Sequence, residues 1–153
     1  MRTKLGAAML ATALAVMATA APASAARPTI TTSPFSQTIV DDQSCSFPNL
    51  QVFTGTVRSI AYADGRLKLF FRLQGHITAN GRSLTDRDHY SVTVSPTGSA
   101  TIVGTVIHIV LPGGGVVNDA GRIVIGADGS LIGFTGRQDQ LTGNLGAFCA
   151  ALS

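Results

Sequence analysis

The sequence predicts an all-β domain: an antiparallel meander of about seven or eight long strands curled into a small barrel, with a β-sandwich as the second arrangement. Three observations carry this. Apolar and polar residues alternate through runs rich in Val, Ile, Thr, Phe and Tyr. Glycine-containing turn signals punctuate those runs. Four of the turns fall about sixteen residues apart, leaving arms of about thirteen residues, well over the usual strand length. Strands that long twist and coil, and curling a sheet on itself shields its edges.

The chain begins with a different kind of segment. Arg2 and Lys4 form a positive head, Leu5 to Ala21 an Ala-rich apolar run, and Ala23-Ser24-Ala25 a small-residue cleavage pattern. That order reads as a secretory signal peptide over residues 1–25, and hence as an extracellular, secreted product. With Arg2 and Lys4 removed, nine Lys and Arg face eight Asp, and the formal charge falls from +3 to +1. The basic character of the whole chain therefore does not indicate a nucleic-acid partner. No later stretch is apolar enough to span a membrane.

Residues 26–34, ARPTITTSP, contain two prolines and no apolar period, and read as a disordered leader. Residues 35–153 read as a single β domain. Its turns are Ala63-Asp64-Gly65, Asn80-Gly81, Pro96-Thr97-Gly98, Pro112-Gly113-Gly114-Gly115 and Asp128-Gly129. Asn-Gly and Asp-Gly supply the positive φ that tight hairpins require. Between turns, Leu67, Leu69, Phe71 and Leu73 share one strand face, and Tyr90, Val92 and Val94 share another. Thr101 to Leu111 is apolar on both faces, as a central strand is. Gly55, Gly75, Gly104 and Gly121 fall inside strand patterns, where they permit bulges or bends. Near the end the period changes: Leu141, Leu145, Phe148 and Leu152 are spaced for a short C-terminal helix, which Gly143 and Gly146 weaken.

Cys45 and Cys149 are the only cysteines. An even count in an exported chain points to a disulfide, here clamping the C-terminal segment onto the region of Ser44 to Pro48. Closing so long a loop stabilises by roughly 4 to 5 kcal/mol in the chain-entropy description. A redox pair or an intermolecular bridge are the alternatives, but the close Cys-X-X-Cys spacing of redox sites is absent.

The stretches SPFSQTIVDDQSCSFP, GRIVIGADGSLIGFTG and FCAAL together resemble a group of small exported actinobacterial proteins with a single-disulfide β domain. Phe148 stands where that group usually has Leu, and TGNLG at 142–146 looks like an addition. The resemblance implies export, a disulfide and β architecture. It carries over no catalytic residue.

For chemistry, the densest polar stretch is Asp86-Arg87-Asp88-His89-Tyr90. A hairpin centred on Thr97 pairs Asp86 with His108 and Asp88 with Val106. Asp86, Asp88, Tyr90 and His108 then share one face at the mouth of the barrel, a set suited to acid–base work or cation binding. A solvated strand end is the plainer alternative, and a one-residue slip in register disperses the set. Histidine and cysteine spacings match no zinc pattern, and no cofactor motif is present. Pro112 to Gly115 reads as a flexible turn. Phe70 beside Lys68 and Arg72 marks a partner surface if the ring is exposed.

Two functional readings follow. The first is a noncatalytic module acting through its surface on a protein partner, or through a lumen that takes a small apolar ligand. The second is a cavity enzyme of cyclase, isomerase or hydrolase type using Asp86, Asp88, Tyr90 and His108.

Overall fold

A computed structural model describes residues 27–153; the segment 1–25, expected to be a signal peptide, lies outside the described residues. The chain runs β1 (Thr29–Asp41), β2 (Asn49–Ala61), β3 (Leu67–Ala79), β4 (Arg82–Val94), β5 (Ala100–Val110), β6 (Val116–Ile125) and β7 (Leu131–Gln138). A short helix, α1 (Gly146–Leu152), follows. Each strand pairs antiparallel with its neighbours in sequence, giving one sheet in the order β1 to β7. The first four strands are each 13 residues long. The meander and its long arms are as the sequence predicts; the sandwich is not formed.

Turn chemistry accounts for the regularity. Asn80 and Gly81 make a two-residue hairpin with φ of 50° and 77°. The other hairpins after β2 share one three-residue design. Tyr62 donates its N–H to the Arg66 carbonyl (2.9 Å), and Gly65 donates back to Tyr62 (3.0 Å). The same pair of bonds recurs between Ser95 and Ser99, Leu111 and Gly115, and Gly126 and Ser130. In every case the glycine before the closing residue takes a positive φ, between 79° and 95°, which a side chain would resist.

Two expectations need correction. Residues 29–34 are not a leader: Thr29 to Pro34 form the first half of β1, paired with Ala61 to Thr56. Thr and Ile suit an extended strand, and Pro34 is tolerated because β1 is an edge. The barrel is also not closed. Phe35 of β1 and Phe71 of β3 meet edge to face across β2, ring centroids 5.8 Å apart, and no ladder joins β1 to β7.

The concave face holds the core in two parts. Towards one end, Leu69, Phe71, Val92, Ala100, Ile102 and Ile125 pack together. Towards the other, Ile77, Leu84, Ile109, Leu111 and Val117 receive Phe148 and Leu152 from α1. A seven-residue helix with no side-chain cap has little stability of its own. Tertiary ties hold it. Leu152 is completely buried, and Asn80 Nδ2 donates to the Leu152 carbonyl at 3.0 Å. Cys149 is bonded to Cys45, 104 positions away. The disulfide thus fastens α1 to the β1–β2 connection across one end of the curled sheet.

Candidate functional site

Between the two core clusters, beneath Leu145 and Phe148, lies a cavity of about 70 Å³, large enough for several water-sized groups. Its walls are mostly apolar: Phe35, Phe53, Phe71, Ile109 and Phe148 are among them. Into this surface β4 projects Asp86, Asp88 and Tyr90. Alternation along the strand turns Arg87 and His89, both exposed, the other way.

The pairing of β4 with β5 decides what joins them. From the turn to His89↔Thr105 the expected register holds, with Tyr90 opposite Gly104. A bulge then adds one residue on β5, so Asp86 lies opposite Ile109 rather than His108. Val106 and Ile107, consecutive residues, both line the cavity as a result. The imidazole of His108 is not part of the lining; its Nδ1 lies 3.2 Å from Asn118 Oδ1. His108 serves the site through its backbone, donating its N–H to Asp86 Oδ1 at 2.7 Å. Three of the four expected residues converge, and the fourth contributes a peptide group. Gly104, which permits a bulge, directly precedes this stretch, but no residue within it sets the one-residue insertion.

Gly75 makes the room. It sits opposite Asp86, and a Cβ there would lie 2.8 Å from the Phe53 ring and 3.0 Å from the Asp86 Cβ. The polar rim includes residues that sequence reasoning passed over. Gln51 lines the cavity and donates to Asn49 Oδ1 (2.9 Å) and Asp41 Oδ2 (3.1 Å). Asn49 is 1% exposed. The available signal was parity, since Asn49 and Gln51 share the strand face of Phe53.

Electrostatically the two carboxyls are unlike. Asp86 Oδ1 accepts the N–H groups of His108 and Arg87, each at 2.7 Å. Burial raises its pKa, and these hydrogen bonds work against that. Asp88 has no such support. Burial first, and then the charge of Asp86, pushes its pKa up to about 9. Asp88 therefore keeps its proton at neutral pH, and Asp86, held by two N–H donors, is the better seat for negative charge. Asp88 Oδ1 is buried and has no hydrogen-bond partner. Burial, with the nearby Asp88 and Asp86 charges, also raises the Tyr90 phenol above its ordinary value, while its ring stacks on Phe71 at 4.8 Å.

Asp119 is also inward and buried, and burial raises its pKa, although Gln140 donates its N–H to Asp119 Oδ1 at 3.0 Å. Among the described residues no cluster of His, Cys, Asp and Glu is placed to hold a metal ion, and no helix is long and apolar enough to cross a membrane. Comparison with known proteins finds no matching family, no matching curated protein and no matching solved structure.

Proposed function

We propose that this is an exported binding module whose curled sheet takes a small, largely apolar ligand bearing a hydroxyl group. One observation supports this above the rest: the Asp88 carboxyl lines a mostly apolar cavity, and its buried Oδ1 receives no hydrogen bond within the protein. A buried carboxyl left short of partners costs about 1–3 kcal/mol, which a ligand hydroxyl bonded to the Asp88 carboxyl offsets. The Asp88 carboxyl offers a ligand hydroxyl one polar partner at the wall, and Tyr90 offers a second. The aromatic and aliphatic walls take the body of the ligand.

Phenol and benzene are the discriminating probes. Titration calorimetry is expected to give tighter binding for phenol than for benzene, and a loss of at least tenfold for phenol in Asp88→Leu. Equal affinity for the two probes, or no binding of either, overturns the reading.

A second reading rests on the unlike carboxyls themselves. A proton donor beside a fixed carboxylate is the arrangement by which acid–base enzymes divide roles. A cyclase, isomerase or hydrolase would use Asp88 as donor and Asp86 as acceptor. Recovery of bound ligand chemically unchanged after prolonged incubation favours the binding module; conversion that stops in Asp88→Asn favours the enzyme.

A further inference from the structure

The charges on the strands are sorted by face. The carboxylates of Asp86, Asp88 and Asp119 are buried on the concave side, and Asp41 turns to the same rim, bonded to Asn49 and Gln51. The exposed Arg58, Arg72, Arg87 and Arg122 alternate with inward residues and so point outward, as does the half-buried Lys68. A net charge near zero thus conceals a convex face that is basic.

On β2, β3 and β4 this face has a regular pattern. Arg58 lies opposite Phe70, two residues from Arg72. Arg72 lies opposite His89, two residues from Arg87. The three arginines therefore occupy successive diagonal positions, with neighbours about 7–8 Å apart. Among the described residues the ion pairs are Arg66–Asp64 and Arg137–Asp139, so none of the three has a carboxylate partner. Like charges close together work against sheet stability, and the fold gives no internal reason to line them up.

We infer that this diagonal is a docking surface for a linear acidic polysaccharide carrying carboxylate groups. Guanidinium forks match carboxylates in a bidentate manner. Exposed Thr54 and Thr56, the latter directly opposite Arg72, supply hydroxyl partners for sugar oxygens. The face lacks what the other polyanions need. Phe70 is half-buried with Lys68 Nζ 4.9 Å from its ring centre, leaving no open aromatic platform for bases. None of the large exposed apolar side chains lies on β3 or β4, and Leu50 on β2 is eight residues from Arg58, so none sits among the arginines to anchor them in lipid.

Affinity electrophoresis of the mature, oxidised protein through gels containing polygalacturonate tests this. Retardation is expected at low salt and its loss at high salt. The triple variant R58Q/R72Q/R87Q is expected to bind at least tenfold more weakly, while R66Q, at a residue already paired with Asp64, binds as the parent does. The substituted residues are exposed, and a melting temperature no lower than the parent's confirms the variant's fold. Single R72Q, expected to weaken binding by a smaller factor, serves if the triple variant does not fold. No retardation of the parent, equal retardation of the arginine variants, or tighter binding to oligothymidylate or to phosphatidylglycerol vesicles overturns the inference. Asp88→Leu leaves this binding intact, which separates it from the cavity.

Discussion

Replacing Asp88 by Asn is expected to make the protein more stable at pH 8 while changing little at pH 4. In the unfolded chain an Asp titrates near 3.9, whereas burial and the Asp86 charge push folded Asp88 up to about 9. Between those values the folded state keeps a proton that the unfolded chain has released, so the free energy of unfolding falls as pH rises. The contribution is fully present below about pH 4 and is lost as pH climbs to about 9. One fully displaced proton costs about 1.4 kcal/mol per pH unit, or roughly 4 kcal/mol between pH 5 and 8. The raised pKa values of Asp86 and Asp119 act in the same direction.

Asp41 acts in the opposite direction: burial opposes its ionisation, but hydrogen bonds from Ser44, Gln43 and Asn49 win and lower its pKa. Its stabilisation is present above about pH 4 and is lost as pH falls further, so it does not interfere above pH 5. Asparagine keeps the shape of Asp88 and can donate to Asp86 without titrating. Urea unfolding followed by circular dichroism at pH 5, 6.5 and 8 measures the slope. The parent midpoint should fall by about 2 M across that range, for a slope of roughly 2 kcal/mol per molar urea, and Asp88→Asn should fall distinctly less. A parent midpoint that stays level or rises, or a variant with the parent's slope, refutes the reasoning.

Replacing both Cys45 and Cys149 with Ser should lower stability by roughly 4–5 kcal/mol through the loop of about a hundred residues that it opens, measured by urea unfolding against the oxidised parent. Leu152→Ala removes a completely buried side chain and should cost about 2–5 kcal/mol; hydrogen exchange should show the loosening concentrated in α1. Gly75→Ala drives a methyl against Phe53 and the Asp86 Cβ. It should cost about 1–3 kcal/mol and weaken phenol binding, read by calorimetry.

The parts of the fold legible in the sequence are those set by local chemistry. Asn80-Gly81 and the four recurring three-residue loops dictate where the chain reverses, and the alternation between them dictates which face each residue takes. That is why the seven-strand meander and the inward set of Asp86, Asp88 and Tyr90 follow from the residues alone. The misses come from effects that alternation does not encode. A single extra residue on β5 moved His108 out of the cavity; Gly104 beside it permits a bulge, but nothing between Thr105 and Ile109 fixes that one residue is inserted. Whether the sheet closes depends on the meeting of β1 and β7, residues a hundred positions apart, and no local pattern speaks to it. Thr29 to Pro34 form a strand because β2 offers them a ladder, although their composition alone suggests a leader.

Because every strand pairs with the next one along the chain, the sheet can zip up hairpin by hairpin with little search. The tail is the exception: α1 can dock only after the strands beneath it exist. Cys45, early in the chain, meets its native partner only when that last element brings Cys149 to it. The bond thus ties the last element of the chain to its first connection, and its closure depends on the strands between them already being in place.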